Sequence, residues 1–356
     1  MFACRSTSTI PSPKSTAWPR SSRAWLRPVA CRSSTEERPG RRPSPRSHRA
    51  SAFIASNAHH EGHPALLLIA QSLELTRRDQ AARDLDAPGL LQRAQAQVDA
   101  GAAAIDVCAA AGAEIGEAAW FAGVLRGAFP ELPLFLDAAD EEQLREGLEA
   151  CERDGTGAPL IANSISVDET GRFNELGRAA LHVAARTGAG VVISPRRLPE
   201  EVADADYMAY AAMRAAELVR AEGVTGMLYM DALAYPAVSD PEKCRRSIDT
   251  LAGWTLVDHA EPMTAVSNVG HGADPALASA LRAVYAAAAI GRGARALILP
   301  IEDTATMAGV DIALGRRLAA NADEEWLLHV ATAGKQGAPP PPAPAAYAAA
   351  AALLFA

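Results

Sequence analysis

The sequence predicts an α/β fold, a parallel (β/α)8 TIM barrel, on three observations. Eight short apolar runs recur between residues 65 and 303, roughly 25 to 35 residues apart, the repeat of a strand followed by a crossover helix. The runs are apolar at successive positions, as strands buried on both faces require. The intervals between them carry helical periodicity that closes on glycine before the next run begins. Eight such units in about 240 residues favour a closed barrel over a doubly wound sheet.

In chain order the runs are ALLLIAQS, AAAIDVC, LPLFLDA, APLIANSIS, GAGVVISP, TGMLYMDAL, MTAVSN and ARALILPIED. The helical intervals are clearest in GLLQRAQAQVDAGA, ahead of Ile105, and in DADYMAYAAMRAAELVRAEGV, ahead of Met227. The barrel is assigned to residues 64–335.

Both ends differ from this core. Residues 1–63 are rich in Arg, Ser and Pro and show no apolar periodicity, so they are expected to be a disordered basic leader. In composition the leader resembles an organelle transit peptide, and an over-long gene start would read the same way. The HHEGH stretch, His59–His63, offers ligand atoms without a second cluster to complete a zinc site. At the other end, residues 336–356 form a Pro/Ala-rich tail, expected to be loose or docked and too short to cross a membrane.

Charge and cysteine usage exclude several classes. Residues 1–50 hold 11 of the 34 Lys and Arg and only two acids, leaving 23 cations against 40 acids, or −17, in the rest. An acidic body does not suit nucleic acid. Cys4, Cys31, Cys108, Cys151 and Cys244 are odd in number and widely spaced, with no C-x-x-C pair. A reducing, cytoplasmic setting is expected. No apolar run reaches the roughly 18 residues of a membrane span.

Polar residues close several runs: Asp106, Asp137, Asn163, Asp231 and Asn268. In a parallel barrel these ends share one face, the mouth where active sites are built. A lone Asp after a strand is commonly the N-cap of the next helix. Five in one ring are harder to assign to capping. Carboxylates accept hydrogen bonds and amides both accept and donate, which matches a flat heterocycle bearing an amino group, ring N–H groups and a carbonyl. Lysine occurs only at positions 14, 243 and 335, none at a strand end, so Schiff-base chemistry and a strongly anionic ligand are disfavoured.

At these residues the sequence resembles the methyltetrahydrofolate:corrinoid methyltransferases, of the pterin-binding superfamily that also includes dihydropteroate synthase. The resemblance runs from about Leu67 to Leu314 through GAAAIDV, PLFLDA, LIANSIS, GMLYMDAL and AVSNVGHG, in the family's order. It implies that Asp137, Asn163 and Asp231 hold the pterin edge, with Asp106 supporting the pocket floor and Asn268 beside the methyl-bearing nitrogen. It implies tetrahydrofolate or methyltetrahydrofolate as substrate, cobalamin carried by a partner corrinoid protein, and a homodimer. Asn268 would assist by a hydrogen bond to the nitrogen as the N–CH3 bond breaks.

The chain departs from the family pattern in three places: AQSLE at Ala70–Glu74 replaces an ERIN-like stretch, Cys108 stands where Asn is usual, and ALASALRAVY lacks the usual Arg and Asn. Cys108 is either a buried filler or a pocket residue. His271, between Gly270 and Gly272, is either a solvated loop residue or a proton relay on a loop that moves as a partner docks. Two other functions fit the superfamily. One is a non-catalytic folate-binding subunit of a corrinoid complex. The other is dihydropteroate synthase, which needs cations for a diphosphate near the seventh and eighth strands, where AVSNVGHG and LILPIED supply none.

Overall fold

The structure, a computed structural model, describes residues 66–74, 87–109, 117–138, 141–152, 158, 160–167, 172–194 and 205–355. The leader 1–63, with His59–His63, lies outside the described residues. The fold expected from the sequence is the one observed. Strands β1 Leu67–Glu74, β2 Ala104–Ala109, β3 Leu134–Ala138, β4 Leu160–Ser166, β5 Gly190–Ser194, β6 Leu228–Asp231, β7 Ala260–Ala265 and β8 Ala296–Leu299 pair in chain order, all parallel, and β1 closes on β8. Helices follow the strands: α1 Ala87–Asp99, α2 Glu117–Ala128, α3 Glu141–Glu152, α4 Glu175–Thr187, α5 Ala205–Ala221, α6 Pro241–Trp254, a one-turn α7 Val266–Val269, α8 Pro275–Gly291 and α9 Thr304–Ala313. Two more, α10 Ala322–Gln336 and α11 Ala348–Phe355, complete the chain.

Each of the eight apolar runs contributes a strand, but the seventh is shifted. MTAVSN reads as a strand ending on Asn268, whereas β7 begins at Ala260, takes in Pro262 and stops at Ala265. Pro262 lacks an N–H, which is why AEP reads as a break. Its carbonyl is nonetheless engaged, accepting from the Arg295 amide at 2.7 Å. Val266 then turns the backbone into α7, so Asn268 sits one helical turn beyond the strand.

Strand alternation divides the apolar side chains into two separate sets. Ile69, Phe135, Ile161, Val192, Tyr229 and Met263 face inward and fill the barrel as a plug, with the Phe135 and Tyr229 rings 5.2 Å apart. Their neighbours in sequence, such as Leu134, Leu136, Val191 and Met230, face outward under the helices. Among the described residues no helix is long and apolar enough to cross a membrane.

On one side the helices approach unusually closely. In α8 the run AAAAIG places Gly291 against α10, where an added Cβ would run into the Ala331 carbonyl. Gly309 of α9 is equally restricted, with the Ala283 carbonyl 2.6 Å from its would-be Cβ. Small side chains let these backbones touch, so the packing depends on the absent Cβ atoms.

Of the two forms expected for the tail, the described residues take the docked one. The Trp326 indole N–H donates to the Pro341 carbonyl at 2.9 Å, and its ring stacks on Tyr347 at 5.6 Å. Ala350 and Leu354 are buried, and Arg245 of α6 donates to the Leu353 carbonyl. The strap therefore rests on an aromatic stack and a buried apolar face.

Gly291→Ala should destabilise the protein by about 1 to 3 kcal/mol, the usual size of overpacking. Urea unfolding monitored by circular dichroism will measure it, with Gly123→Ala of α2 as a control whose Cβ meets nothing and whose backbone is ordinary helix.

Candidate functional site

Beyond the plug, the inward face turns polar on five consecutive strands. Two residues after Ala104, Phe135, Ile161, Val192 and Tyr229, each an inward-facing plug residue, come Asp106, Asp137, Asn163, Ser194 and Asp231. A two-residue step returns the chain to the same face, so these side chains share one arc of the barrel. Asp137 and Asn163 are register partners, and Cys108 pairs with Asp137 from the other side. The sequence placed Asp106, Asp137, Asn163 and Asp231 together, and the strands bring them together. It missed Ser194, which reads as an ordinary turn residue ahead of Pro195.

Asp106 and Asn163 are bound to each other. The Asn163 amide donates to the Asp106 carboxylate at 3.0 Å, across the intervening β3, with both side chains buried. The pairing of β4 with β5 shifts register between Ala162 and Ile165, at this point of the strand. Asp231 ends β6 and accepts from the Leu233 amide at 3.0 Å, next to a left-handed turn in which Leu233 takes φ 52, uncommon for a residue with a side chain.

Asn268 stands apart from this arc, above β7. It is half-buried on α7, its carbonyl accepts from the Gly270 and His271 amides, and its carboxamide is bonded to no described residue. Its neighbour Ser267 is buried with an unpartnered hydroxyl. His271 is exposed. The two glycines flanking it have separate structural tasks. Gly270 lies against Ala278, whose Cβ would be 3.0 Å from a Cβ added to the glycine, and Gly272 takes φ +80.

Capping does not account for Asn163, Asp231 and Asn268, because other side chains cap the helices that follow them. Asn174 caps α4, Asp240 caps α6, Asp274 caps α8 and Asp303 caps α9, each accepting from amides of the first turn. Asn163, Asp231 and Asn268 precede three of these helices and cap none of them.

The cations on helices that follow β6 and β7 are engaged close to the mouth. In the first two turns of α6, Lys243 pairs with Asp240 at 3.1 Å and lies 5.2 Å from the Tyr235 ring, Arg246 pairs with Glu242, and Arg245 holds the tail. Arg282 of α8 pairs with Asp303 at 3.0 Å. Burial raises the Asp303 carboxyl, but hydrogen bonds from Ser279 and Thr306 and the Arg282 charge outweigh it and hold the group below its ordinary value. No group of three or more His, Cys, Asp or Glu among the described residues could hold a metal ion.

Asn163→Ala should lower stability by about 1.5 to 3 kcal/mol, because it removes a donor from a carboxylate that is almost completely buried. Denaturant unfolding will report the loss, and Asn163→Asp, which sets two carboxylates side by side, should lose more.

No curated protein matches the chain. Among solved structures it is similar to the dihydropteroate synthase of Yersinia pestis, with 19% identity over 72% of this chain and 94% of that one and a TM-score of 0.51. It is also similar to a dihydropteroate synthase of Coxiella burnetii, at 12% identity over 72% and 94% with a TM-score of 0.52. The dihydropteroate synthase of Thermus thermophilus gives 18% identity over 71% and 95% with a TM-score of 0.50. Identities this low carry the fold alone. The family match is more specific: residues 77–299 fit the family described as pterin binding enzyme, over more than half the chain and through strands β2 to β8. The chain belongs to the pterin-binding enzyme family.

Proposed function

We propose that the polar arc binds the pterin of a reduced folate and that the chain moves a methyl group between tetrahydrofolate and the cobalt of a corrinoid protein. The observation that carries this reading is Asn268: a half-buried carboxamide one turn beyond β7 that neither caps a helix nor bonds to a described residue. Asp137, Asn163 and Asp231 would hold the pterin edge by accepting from its amino and ring N–H groups, with Asp106 fixing Asn163 from below. The corrinoid, carried by a partner, would supply the nucleophile for the methyl group.

What this chain contributes is help for a poor leaving group. As the N–CH3 bond breaks, the electron pair stays on nitrogen, which becomes basic. An amide N–H aimed at that nitrogen strengthens its hydrogen bond most at that moment, which is stabilisation of the transition state over the ground state. The buried neighbours of Asn268 thin the water that would compete for that bond.

A second reading is dihydropteroate synthase, the enzyme named for solved structures that share this fold. It must release a diphosphate, and the cations described on α6 and α8 near the mouth are already engaged by Asp240, Glu242, Asp303 and the Leu353 carbonyl. This charge balance supports the methyl-transfer reading.

Mixing the purified protein with methyltetrahydrofolate and reduced cobalamin, and following methylcobalamin by absorbance, tests the reading directly. Transfer is expected. Condensation of a pterin diphosphate with an aromatic amine, without transfer, would select the synthase, and folate binding without either reaction would select a non-catalytic subunit. Asn268→Ala should lower kcat/KM by about 100-fold or more, with a smaller change in folate affinity and in Tm. Asn268→Asp should recover activity only at acidic pH, where the protonated carboxyl can donate.

A further inference from the structure

We propose that Ser194 is a further ligand-binding residue of the barrel mouth, its hydroxyl donating a hydrogen bond to an acceptor on the ring of the bound pterin. The proposal rests on the reading that a reduced folate occupies the arc. Ser194 closes β5 on the same face as Val192 of the plug. Ile193 pairs with Met230, so one step further along the strands Ser194 comes beside Asp231, and Ser166 is its register partner on β4. It therefore lies between two strands that carry polar residues of the arc.

The residue is fully buried, yet its Oγ finds no hydrogen-bond partner. A serine hydroxyl rotates about its Cβ–Oγ bond and usually reaches a nearby carbonyl, so a buried one left unsatisfied is uncommon and works against stability.

The chemistry of the arc says which partner Ser194 would take. Asp106, Asp137 and Asp231 can only accept when ionised, and Asn163 already gives an amide hydrogen to Asp106. A pterin edge carries donors in its amino and ring N–H groups, and acceptors in its carbonyl oxygen and bare ring nitrogens. The carboxylates complement the donors. An acceptor on the same ring needs a neutral donor on the same arc, and Ser194 is placed to be one.

Titration calorimetry with methyltetrahydrofolate, together with thermal melts in the absence of ligand, on the wild type and Ser194→Ala tests this. The variant should bind about 5- to 10-fold more weakly, the size of one neutral hydrogen bond. Its ligand-free Tm should be unchanged or higher, because the substitution deletes an unsatisfied polar group. An affinity within twofold of the wild type overturns the proposal. A lower ligand-free Tm also overturns it, since the hydroxyl would then be holding the fold. A wild type that does not bind methyltetrahydrofolate removes the folate reading itself, and is recognised from the wild-type titration alone.

Discussion

Closing eight parallel strands into a barrel leaves a single interior, and the two-residue period of a strand decides which side chains share it. The rest of the molecule follows from that constraint. Inward positions are filled first by the plug around Phe135 and Tyr229, and two residues later by Asp106, Asp137, Asn163, Ser194 and Asp231. The plug is the dry floor on which the polar arc stands. Burial within the plug, with the Glu261 charge adding to it, pushes the Tyr229 phenol well above its ordinary value.

Outside the barrel the polar ties serve the scaffold. Tyr285 of α8 is fully buried, and its hydroxyl bridges Ser247 of α6 at 2.7 Å and Thr264 of β7 at 3.0 Å. The outward face of β7 is thereby fastened to two helices just before the chain turns into α7. At the opposite end Arg220 donates to the Val224, Gly226 and His259 carbonyls, gathering the segments that lead into β6 and β7. Both ties bear on the strands that carry Asp231 and lead to Asn268.

Most of the fold was legible in the sequence because β/α units repeat and parallel strands are apolar on both faces. The seventh strand was legible only in part. Pro262 masks its start, and nothing local marks the point at which Ala265 gives way to a helical turn. Of the site, the acidic and amide members were legible because Asp and Asn are conspicuous at the end of an apolar run. Ser194 was not. A serine before a proline is ordinary, and its hydroxyl becomes notable only once the closed barrel leaves it buried without a partner. The role of Gly291 was hidden for the same reason, because a close approach between α8 and α10 is a property of the assembled helices.

The helices are started by one set of side chains and the mouth is lined by another. Asn174, Asp240, Asp274 and Asp303 anchor helix termini, while Asn163 and Asp231 on their strands and Asn268 on α7 anchor none. This division of labour frees the mouth to drift. A lineage can exchange one arc residue for another without loosening the helix that follows, so selection for a new ligand and selection for a persistent scaffold act on different codons. Asn163 is the exception, because its bond to Asp106 joins the two demands, and it is the arc position that such drift should alter most slowly.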